Sequence, residues 1–291
     1  MSENGIGWSN GQFFPVELTT VPVLDFGFNK SDAVYDGIPF TSRRLYRLDD
    51  HISRLYESVR RWRLNFNRPA SEVRELCRAV VAQSSLADGI VYPVVSRGLP
   101  PNATLRNPAF FEARLTVWSQ ALPNLKPHGD GLRVIIARTP RIPDTCVDSL
   151  AKNLHWGDLT QARLEAHDAQ VDNAILLSID GEVAEGPGFN VFMVKDGVLS
   201  TPIRHCLHGI TRRSVLEFAS ELGLTAHERQ FDGLELSAAD EVFFTTSAGG
   251  VLPVAELNHR KLKSTKIAES LRSAYLLRRA SEDWTVAADD R

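Results

Sequence analysis

The pattern of hydrophobic and polar positions changes several times along the first part of the chain. Runs rich in β-branched and aromatic residues predict strands at residues 21–28 and 37–47. Apolar residues then recur at helical spacing, which predicts helices at residues 48–64 and 71–84. Strand-like runs return near residues 90–97 and 110–118. Together these elements predict an α+β unit.

The second part of the chain has a different pattern, in which hydrophobic runs alternate with helical segments. Strands are predicted near residues 132–138, 173–178, 190–195 and 241–245, and helices near 159–167, 212–223 and from about 266. The runs are continuous enough to indicate buried strands. Residues 119–128 contain two prolines and little periodicity, so we predict the crossing between domains there. The sequence therefore predicts a small α/β domain at residues 1–120 and a larger domain at residues 121–291.

The amino-acid composition argues against some classes of function, but it does not identify one function. The chain has 291 residues, of which 43% are hydrophobic and 24% charged, and a formal net charge of −3. These values are typical of a globular protein and give no overall attraction to nucleic acid or anionic lipid. The sequence shows no secretory signal, no bilayer-spanning apolar stretch and no C-x-x-C pair among its three cysteines. We expect a cytoplasmic protein that binds small molecules, with no nucleic acid, membrane or metal partner.

Two charged residues lie in sequence environments that are unusual for surface groups. Lys152 is a lone lysine in the mostly apolar and small run D-S-L-A-K-N-L-H-W-G-D-L. An amine that loses water on burial can act as a nucleophile toward an aldehyde, although a surface lysine is the alternative. Glu185 falls between two hydrophobic strands, where an unpaired carboxylate is costly. It therefore requires a cationic partner, either a protonated pyridine nitrogen or an arginine.

Three further segments offer groups that can bind phosphate. Gly209 precedes a predicted helix that begins I-T-R-R, where backbone N–H groups and the helix dipole favour an anion. Thr246 and Ser247 follow a hydrophobic strand in the run T-T-S-A-G-G, and Arg54 lies beside apolar residues on a predicted helix. Each has a structural alternative, namely a helix start, a strand that leads into a turn, and a solvated charge.

Taken together, these segments resemble the class IV, or fold type IV, pyridoxal 5'-phosphate (PLP)-dependent transaminases, over nearly the whole chain. The resemblance implies PLP as the cofactor and a barrel-like sheet with flanking helices in the larger domain. It implies that Lys152 is the catalytic residue, which carries the cofactor as a Schiff base and moves a proton. The cofactor-binding residues that it implies are Arg54, Lys152, Glu185, Asn190, Leu207, Ile210, Thr211, Thr246 and Ser247.

Within this family, the segments K-N-L-H-W-G-D-L-T and T-T-S-A-G-G are most similar to those of (R)-selective amine:pyruvate transaminases. That similarity implies transfer of an amino group from an (R)-amine or a D-amino acid to a keto acid such as pyruvate. The first domain departs from the pattern, since Lys30 replaces a histidine, Gly37 replaces a valine and Tyr92 stands where a glutamate is usual. The residues implied to contact substrate are Lys30, Tyr35, Gly37, Tyr92, Arg106, Trp156 and Ala248.

Other functions are compatible with the same segments. Branched-chain aminotransferases, D-amino-acid transaminases and aminodeoxychorismate lyases belong to the same family. A protein that binds the cofactor without turnover is a further alternative, although a pure binder has no need for both Lys152 and Glu185. The family resemblance also implies a homodimer.

Overall fold

Two β-sheets and seven α-helices make up the part of the fold that the structure describes. The structure is a computed structural model, and it describes residues 5–102, 104–123, 125 and 131–289. The strands are β1 (Ile6–Ser9), β2 (Gln12–Pro15), β3 (Ala33–Tyr35), β4 (Ile38–Thr41), β5 (Arg44–Tyr46), β6 (Gly89–Ser96), β7 (Arg114–Gln120), β8 (Leu132–Ile136), β9 (Asn173–Ile175), β10 (Glu185–Gly186), β11 (Phe189–Lys195), β12 (Val198–Thr201), β13 (Ala226–Glu228), β14 (Glu241–Thr246), β15 (Gly250–Leu257), β16 (Arg260–Lys261) and β17 (Thr285–Ala287). The helices are α1 (Phe26–Asn29), α2 (Leu48–Arg61), α3 (Ala70–Gln83), α4 (Gly157–Asp168), α5 (Ile210–Glu221), α6 (Gly233–Ser237) and α7 (Lys266–Ala280). The predicted α+β class is confirmed.

The chain divides into two compact units. Unit 1 consists of Met1–Pro123, Ala151–His155 and Arg279–Arg291, and unit 2 consists of Asn124–Leu150 and Trp156–Arg278. Two segments that we predicted in the larger domain are thus grouped with unit 1. Backbone pairing accounts for this difference, because Asn153 bridges Val34 and strand β17 pairs with β5. The domain boundary near residue 120 stays a prediction, and residues 124 and 126–128 of the predicted crossing lie outside the described residues.

Unit 1 is built on an antiparallel sheet with the strand order β17-β5-β4-β6-β7-β1-β2, in which β3 also pairs with β6. Side chains alternate across the sheet, so Val91 and Val95 of β6 and Val117 of β7 point to one face. There they pack with apolar residues of α2 and α3, such as Leu55 and Val80, in one hydrophobic core. The opposite face of β6 and β7 is only partly buried.

Unit 2 contains a mixed sheet with the strand order β13-β12-β11-β14-β15-β8-β9. Strand β10 pairs with β11, and the chain that follows β9 also reaches β10, because the Leu176 N–H donates to the Glu185 carbonyl oxygen at 2.9 Å. The Ala184 N–H donates to the Leu176 carbonyl oxygen at 3.0 Å. These bonds close the strands from β11 to β9 into a ring, as the predicted barrel-like sheet requires.

Both faces of the central strands in unit 2 are buried. Val191 of β11 and Phe244 of β14 belong to the core on one face. Phe192 and Phe243 lie on the other face and stack with ring centroids 4.9 Å apart. The continuous hydrophobic runs in the sequence are therefore explained by strands that have no solvent-facing side.

The predicted strand at residues 21–28 is wrong. Pro22 lacks the N–H group that a strand ladder needs, and Asp25 caps helix α1 by accepting the Gly27 N–H at 2.7 Å. The other predicted elements shift by a few residues, and the sequence missed short strands such as β1 and β17. Within the described ranges, no helix is long and apolar enough to cross a membrane.

Candidate active site

The segment that contains Lys152 is held by main-chain hydrogen bonds in unit 1. The Tyr35 N–H donates to the Lys152 carbonyl oxygen at 2.9 Å, and the Leu154 N–H donates to the Ala33 carbonyl oxygen at 3.1 Å. The Lys152 N–H donates to Oγ of Ser58, on helix α2, at 3.1 Å. The backbone of Lys152 is thus fixed both by β3 and by α2.

The side chain of Lys152 is half-buried and lies against an aromatic ring. Its Nζ atom is 4.5 Å from the centroid of the Tyr35 ring, a distance at which the ring face attracts a cation. The sequence suggested a buried amine, and the structure shows one that is partly accessible.

Arg54 forms a buried ion pair with a residue that the sequence analysis did not single out. Arg54 Nε donates to Asp36 Oδ2 and Arg54 Nη2 to Asp36 Oδ1, both at 2.8 Å. Asp36 Oδ1 also accepts the Gly37 N–H at 2.7 Å and contacts His51 Nδ1 at 2.7 Å. The paired hydrogen bonds fix the plane of the guanidinium, so Arg54 is oriented by Asp36.

Asp36 and His51 are both fully enclosed, and their environment decides their charge. Burial raises the pKa of the Asp36 carboxyl, but the charge of Arg54 and the hydrogen bonds from Arg54 and His51 outweigh burial and hold that pKa well below its usual range. Burial lowers the pKa of His51 below its usual value, against the opposing effect of Asp36. Asp36 is therefore ionised and His51 neutral at pH 7, which leaves Arg54 as the counter-charge.

An aromatic wall, formed by Tyr35, Tyr92 and Trp118, follows the half-exposed face of the sheet in unit 1. The Tyr92 and Trp118 rings stack with centroids 5.4 Å apart, and the Tyr35 and Tyr92 centroids are 6.4 Å apart. Burial raises the pKa of Tyr92, and the neighbouring Tyr35 adds to the rise, so its hydroxyl stays protonated. A Cβ atom on Gly37 would approach the Tyr92 ring to 3.0 Å, so Gly37 leaves space for this ring.

Glu185 of unit 2 shares an arginine with a second carboxylate. Arg141 Nε donates to Glu185 Oε1 at 3.0 Å, and Arg141 Nη1 donates to Asp158 Oδ2 at 2.5 Å. The second oxygen, Glu185 Oε2, accepts the Leu207 N–H at 3.1 Å. The side chains of Arg141, Asp158 and Glu185 are only 6%, 5% and 9% exposed. The arginine that the sequence left open as a partner of Glu185 is therefore present.

Asn190 connects Glu185 to the start of helix α5. Glu185 and Asn190 are opposite each other in β10 and β11, so their side chains lie on the same face. Asn190 Nδ2 donates to the Leu207 carbonyl oxygen at 2.6 Å, and a Cβ atom added to Gly209 would overlap Asn190 Oδ1. The sheet thereby fixes the loop that leads into Ile210, the first residue of α5.

A row of hydroxyl groups ends strand β14. Thr245 is opposite Asn190 in the neighbouring strand, and its Oγ1 atom is buried with no hydrogen-bond partner among the described residues. Thr246 Oγ1 accepts the Ala248 N–H at 3.4 Å, and Ser247 lies in the turn that follows. Thr245, Asn190 and Glu185 thus form a polar row across three strands.

The structure brings together most of the predicted residues within each unit. Lys152, Arg54, Tyr35, Gly37 and Tyr92 surround the end of β3 in unit 1. The group in unit 2 comprises Glu185, Asn190, Leu207, Ile210, Thr211, Thr246, Ser247 and Ala248. Trp156 is also in unit 2, directly before α4, and a Cβ atom added to Gly188 would lie 3.4 Å from its ring.

Two predicted substrate residues have no link to these groups among the contacts of the described residues. Lys30 follows helix α1, and Arg106 lies in the loop before β7; both are exposed. The sequence analysis missed Asp36, His51 and Trp118 in unit 1, and Arg141 and Asp158 in unit 2. Asp36 and Asp158 sit in the runs A-V-Y-D-G and H-W-G-D-L, so their burial could have been suspected there. Arg141 lies in an irregular segment with no comparable signal.

The family of the chain follows from comparison with known proteins. A family model described as amino-transferase class IV matches residues 33–257. The putative branched-chain-amino-acid aminotransferase of Methanocaldococcus jannaschii is 31% identical over 268 residues, which cover 89% of this chain and 90% of that protein. The chain therefore belongs to the class IV amino-transferase family.

Solved structures agree with this assignment. The branched-chain aminotransferase of Thermoproteus uzoniensis, crystallised with norvaline, has a TM-score of 0.89 at 26% identity and covers 98% of this chain and 99% of its own. The branched-chain amino acid aminotransferase of Thermobaculum terrenum, solved in its PLP form, has a TM-score of 0.88 at 25% identity and covers 99% of each chain. The predicted fold type IV architecture is confirmed.

Replacing Asp36 tests the buried ion pair. Asp36→Asn removes the carboxylate that pairs with Arg54, so we expect the free energy of unfolding at pH 7 to fall by about 3–5 kcal/mol. The folded pKa of Asp36 lies below the unfolded value of about 3.9. The wild type therefore loses this stabilisation as the pH falls below about 4, where the unfolded chain takes up a proton and the folded protein does not.

Urea unfolding between neutral and acid pH measures this difference. The gap in stability between wild type and Asp36→Asn should narrow as the pH falls below about 4. Asp49→Asn is the matched control on α2, the helix that bears Arg54, since Asp49 is exposed and pairs with Arg74 at the surface. It should cost less than about 1 kcal/mol. A gap that stays constant with pH would contradict the assignment.

Proposed function

We propose that this chain transfers an amino group from an (R)-amine or a D-amino acid to a keto acid such as pyruvate, with Lys152 as its catalytic residue. The general activity is established, because the chain is a class IV aminotransferase. The predicted cofactor, PLP, is confirmed by this membership and by branched-chain aminotransferases solved in the PLP form and with pyridoxamine 5'-phosphate. The substrates and the roles of individual residues are the proposal.

The observation that carries the site assignment is the nearly buried Glu185 carboxylate, which Arg141 and the Leu207 N–H hold in place. Glu185 and Asp158 both pair with Arg141, so this arginine is shared between two carboxylates. A protonated pyridine nitrogen would be a further cationic partner for Glu185. Pairing with an arginine and pairing with the cofactor are therefore compatible, because the arginine is shared.

The start of helix α5 fits the phosphate group. The first N–H groups of a helix have no acceptor within the helix, and no side chain in the described part of the chain caps α5 at Gly209. The helix dipole adds to the attraction for an anion. The buried Thr245 hydroxyl is a further donor nearby in the polar row. We retain as phosphate-binding residues Arg54, Ile210, Thr211, Thr246 and Ser247, and we retain Leu207 as the residue that packs on the cofactor ring.

Lys152 performs the chemistry that its position allows. PLP, when bound, supplies an aldehyde and a ring that accepts electrons. The Lys152 Nζ atom is the nucleophile toward that aldehyde and afterwards accepts and returns a proton. Its backbone is fixed by β3 and α2, so the remaining motion is that of the side chain. Glu185, whose Oε2 atom accepts the Leu207 N–H, would favour the protonated form of the ring nitrogen.

The donor site proposed here is apolar on the side of Lys152. The Tyr35 ring lies beside Nζ, and the aromatic wall continues from it to Trp118. Such a wall favours a donor with an aromatic or aliphatic group. The Tyr92 hydroxyl, whose pKa is raised, stays protonated and can act as a hydrogen-bond donor. Together with the resemblance of the Lys152 segment to (R)-selective enzymes, these features support an (R)-amine or D-alanine as donor.

A second candidate is an aminotransferase for branched-chain L-amino acids. The relatives from Methanocaldococcus jannaschii, Thermoproteus uzoniensis and Thermobaculum terrenum are all named as branched-chain aminotransferases. The aromatic wall is also compatible with an aliphatic side chain. The homodimer and the cytoplasmic location implied by the sequence remain predictions.

Removal of the Lys152 amine should abolish turnover. We expect Lys152→Ala to lose at least about a thousandfold in kcat, because the nucleophile and the proton carrier are the same group. Borohydride treatment of the wild-type holoenzyme should attach the cofactor irreversibly to the peptide that contains Lys152, which mass spectrometry detects. Lys195→Ala, at a partly exposed lysine that pairs with Asp240, is the control. Retained turnover in Lys152→Ala would reject the catalytic assignment.

A panel of amino donors distinguishes the two candidate activities. The donors are (R)- and (S)-1-phenylethylamine, D- and L-alanine, and L-leucine, each followed by bleaching of the PLP absorbance band. We expect reaction with the (R)-amine or D-alanine. Activity confined to L-leucine would establish the second candidate instead. Release of pyruvate from aminodeoxychorismate without a keto acceptor would indicate a lyase.

Substitution of Gly209 tests the approach of α5 to the sheet. The added methyl group of Gly209→Ala would collide with Asn190 Oδ1 and displace the hydrogen bond from Asn190 to Leu207. We expect PLP to bind about tenfold more weakly, which corresponds to about 1.4 kcal/mol. Gly157→Ala, which meets no atom within 4 Å at the start of α4, is the control. Unchanged PLP affinity in Gly209→Ala would show that this approach does not matter for the cofactor.

A further inference from the structure

Asp158 occupies a buried position that the proposed reaction does not use directly. It lies in the first turn of α4, where a negative charge is favoured by the helix dipole. Asp158 Oδ2 accepts hydrogen bonds from Arg141 Nη1 at 2.5 Å and from the Ile142 N–H at 2.8 Å, and Oδ1 accepts the Leu159 N–H at 2.9 Å. These contacts hold the carboxyl group of Asp158 at a fixed place.

Arg141 transmits the charge of Asp158 to Glu185. Its guanidinium uses Nη1 for Asp158 and Nε for Glu185, so one rigid group touches both carboxylates. Burial lowers the pKa of Arg141, but the two carboxylates outweigh burial and raise that pKa above its usual value. Arg141 thus stays charged, and its single positive charge is divided between two partners.

The way in which Arg141 divides its positive charge between the two carboxylates determines how strongly Glu185 attracts a cationic ligand. If residue 158 carried no charge, Arg141 would direct its positive charge toward Glu185 alone and weaken the attraction of Glu185 for a protonated ring. A charged residue at this position draws part of that positive charge away from Glu185, because Arg141 contacts both side chains. In a buried site such a charge acts over several ångströms with little screening.

We propose that Asp158 is a positioning residue that strengthens the interaction of Glu185 with the ring nitrogen of the cofactor, acting through Arg141. This inference rests on the proposed role of Glu185. It assigns to Asp158 a part in how strongly the ring withdraws electrons. Among the described residues, the hydrogen-bond partners of the Asp158 carboxylate are Arg141 and the backbone of Ile142 and Leu159.

The test compares PLP with an analogue whose ring nitrogen is replaced by a CH group. Both compounds keep the aldehyde and the phosphate, so any effect on those groups cancels in the ratio of their dissociation constants. In Asp158→Asn we expect PLP to bind about tenfold more weakly, and the analogue to change by less than about twofold. The ratio measured by equilibrium dialysis therefore isolates the coupling between residue 158 and the ring nitrogen.

Glu165→Gln is the matched control. Glu165 lies on the same helix, is a half-buried acceptor of the Arg138 and Thr139 N–H groups, and has no contact with Arg141 among those described. It should leave the ratio unchanged. Asp158→Ser provides a smaller neutral residue in case the amide variant folds poorly, and Asp158→Glu should restore part of the wild-type ratio because it restores the charge.

The outcomes separate this inference from the proposed function. Equal weakening of both compounds in Asp158→Asn and Asp158→Ser would show a structural role only and would overturn the inference. Unchanged binding of both compounds would overturn it as well. Glu185→Gln tests the underlying assignment: if that variant does not lower the preference for PLP over the analogue, then the proposed role of Glu185 fails, whatever the Asp158 variants do.

Discussion

Compensation of buried charge is the constraint on which both candidate groups depend. Asp36 is fully buried, and it is stable as an anion because Arg54 pairs with it through two hydrogen bonds and because the Gly37 N–H and His51 add further ones. Glu185 is nearly as buried, but its arginine is shared with Asp158. The charge of Asp36 is thus matched by one arginine, whereas Glu185 and Asp158 share theirs. In both groups the arginine holds the carboxylates that it contacts at a defined place in the fold.

The sequence predicted much of the fold, because the core is encoded in periodic patterns. The helical spacing of apolar residues around Leu55 predicted helix α2, and the continuous hydrophobic run around Phe192 predicted strand β11. The apolar run at residues 21–28 led to a wrong strand prediction, because Val23 and Leu24 are exposed rather than buried. Strand β17 could not be predicted, since three residues with no periodicity become a strand only by pairing with β5.

The candidate site was only partly predictable for a different reason. Lys152, Glu185 and Gly209 stand in short runs whose residue types have a direct chemical meaning. Arg141 has none in its own segment, and its role arises from distances to Glu185 and Asp158 that no local pattern encodes. Sequence reasoning thus identified the groups that are proposed to act on the cofactor. It missed Arg141, which pairs with Glu185, and Asp158, which pairs with the same arginine.

The two faces of the sheet in unit 1 differ in how tightly they are packed. The face of β6 and β7 that packs on α2 and α3 is closed by apolar side chains, so it tolerates little change. The opposite face bears the half-exposed Tyr92 and Trp118, which lie outside that core. If the donor binds at this face as proposed, relatives with the same fold can differ in donor while keeping the same framework.

The grouping of residues 279–291 with unit 1 has a consequence for biosynthesis. Strand β17 is the outermost strand of the first sheet and covers the edge of β5, yet it is translated after every residue of unit 2. Until then β5 presents an unpaired edge on the nascent chain, a feature that favours association with other strands. Unit 1 is thus the first unit whose synthesis begins and the last one whose sheet can be completed.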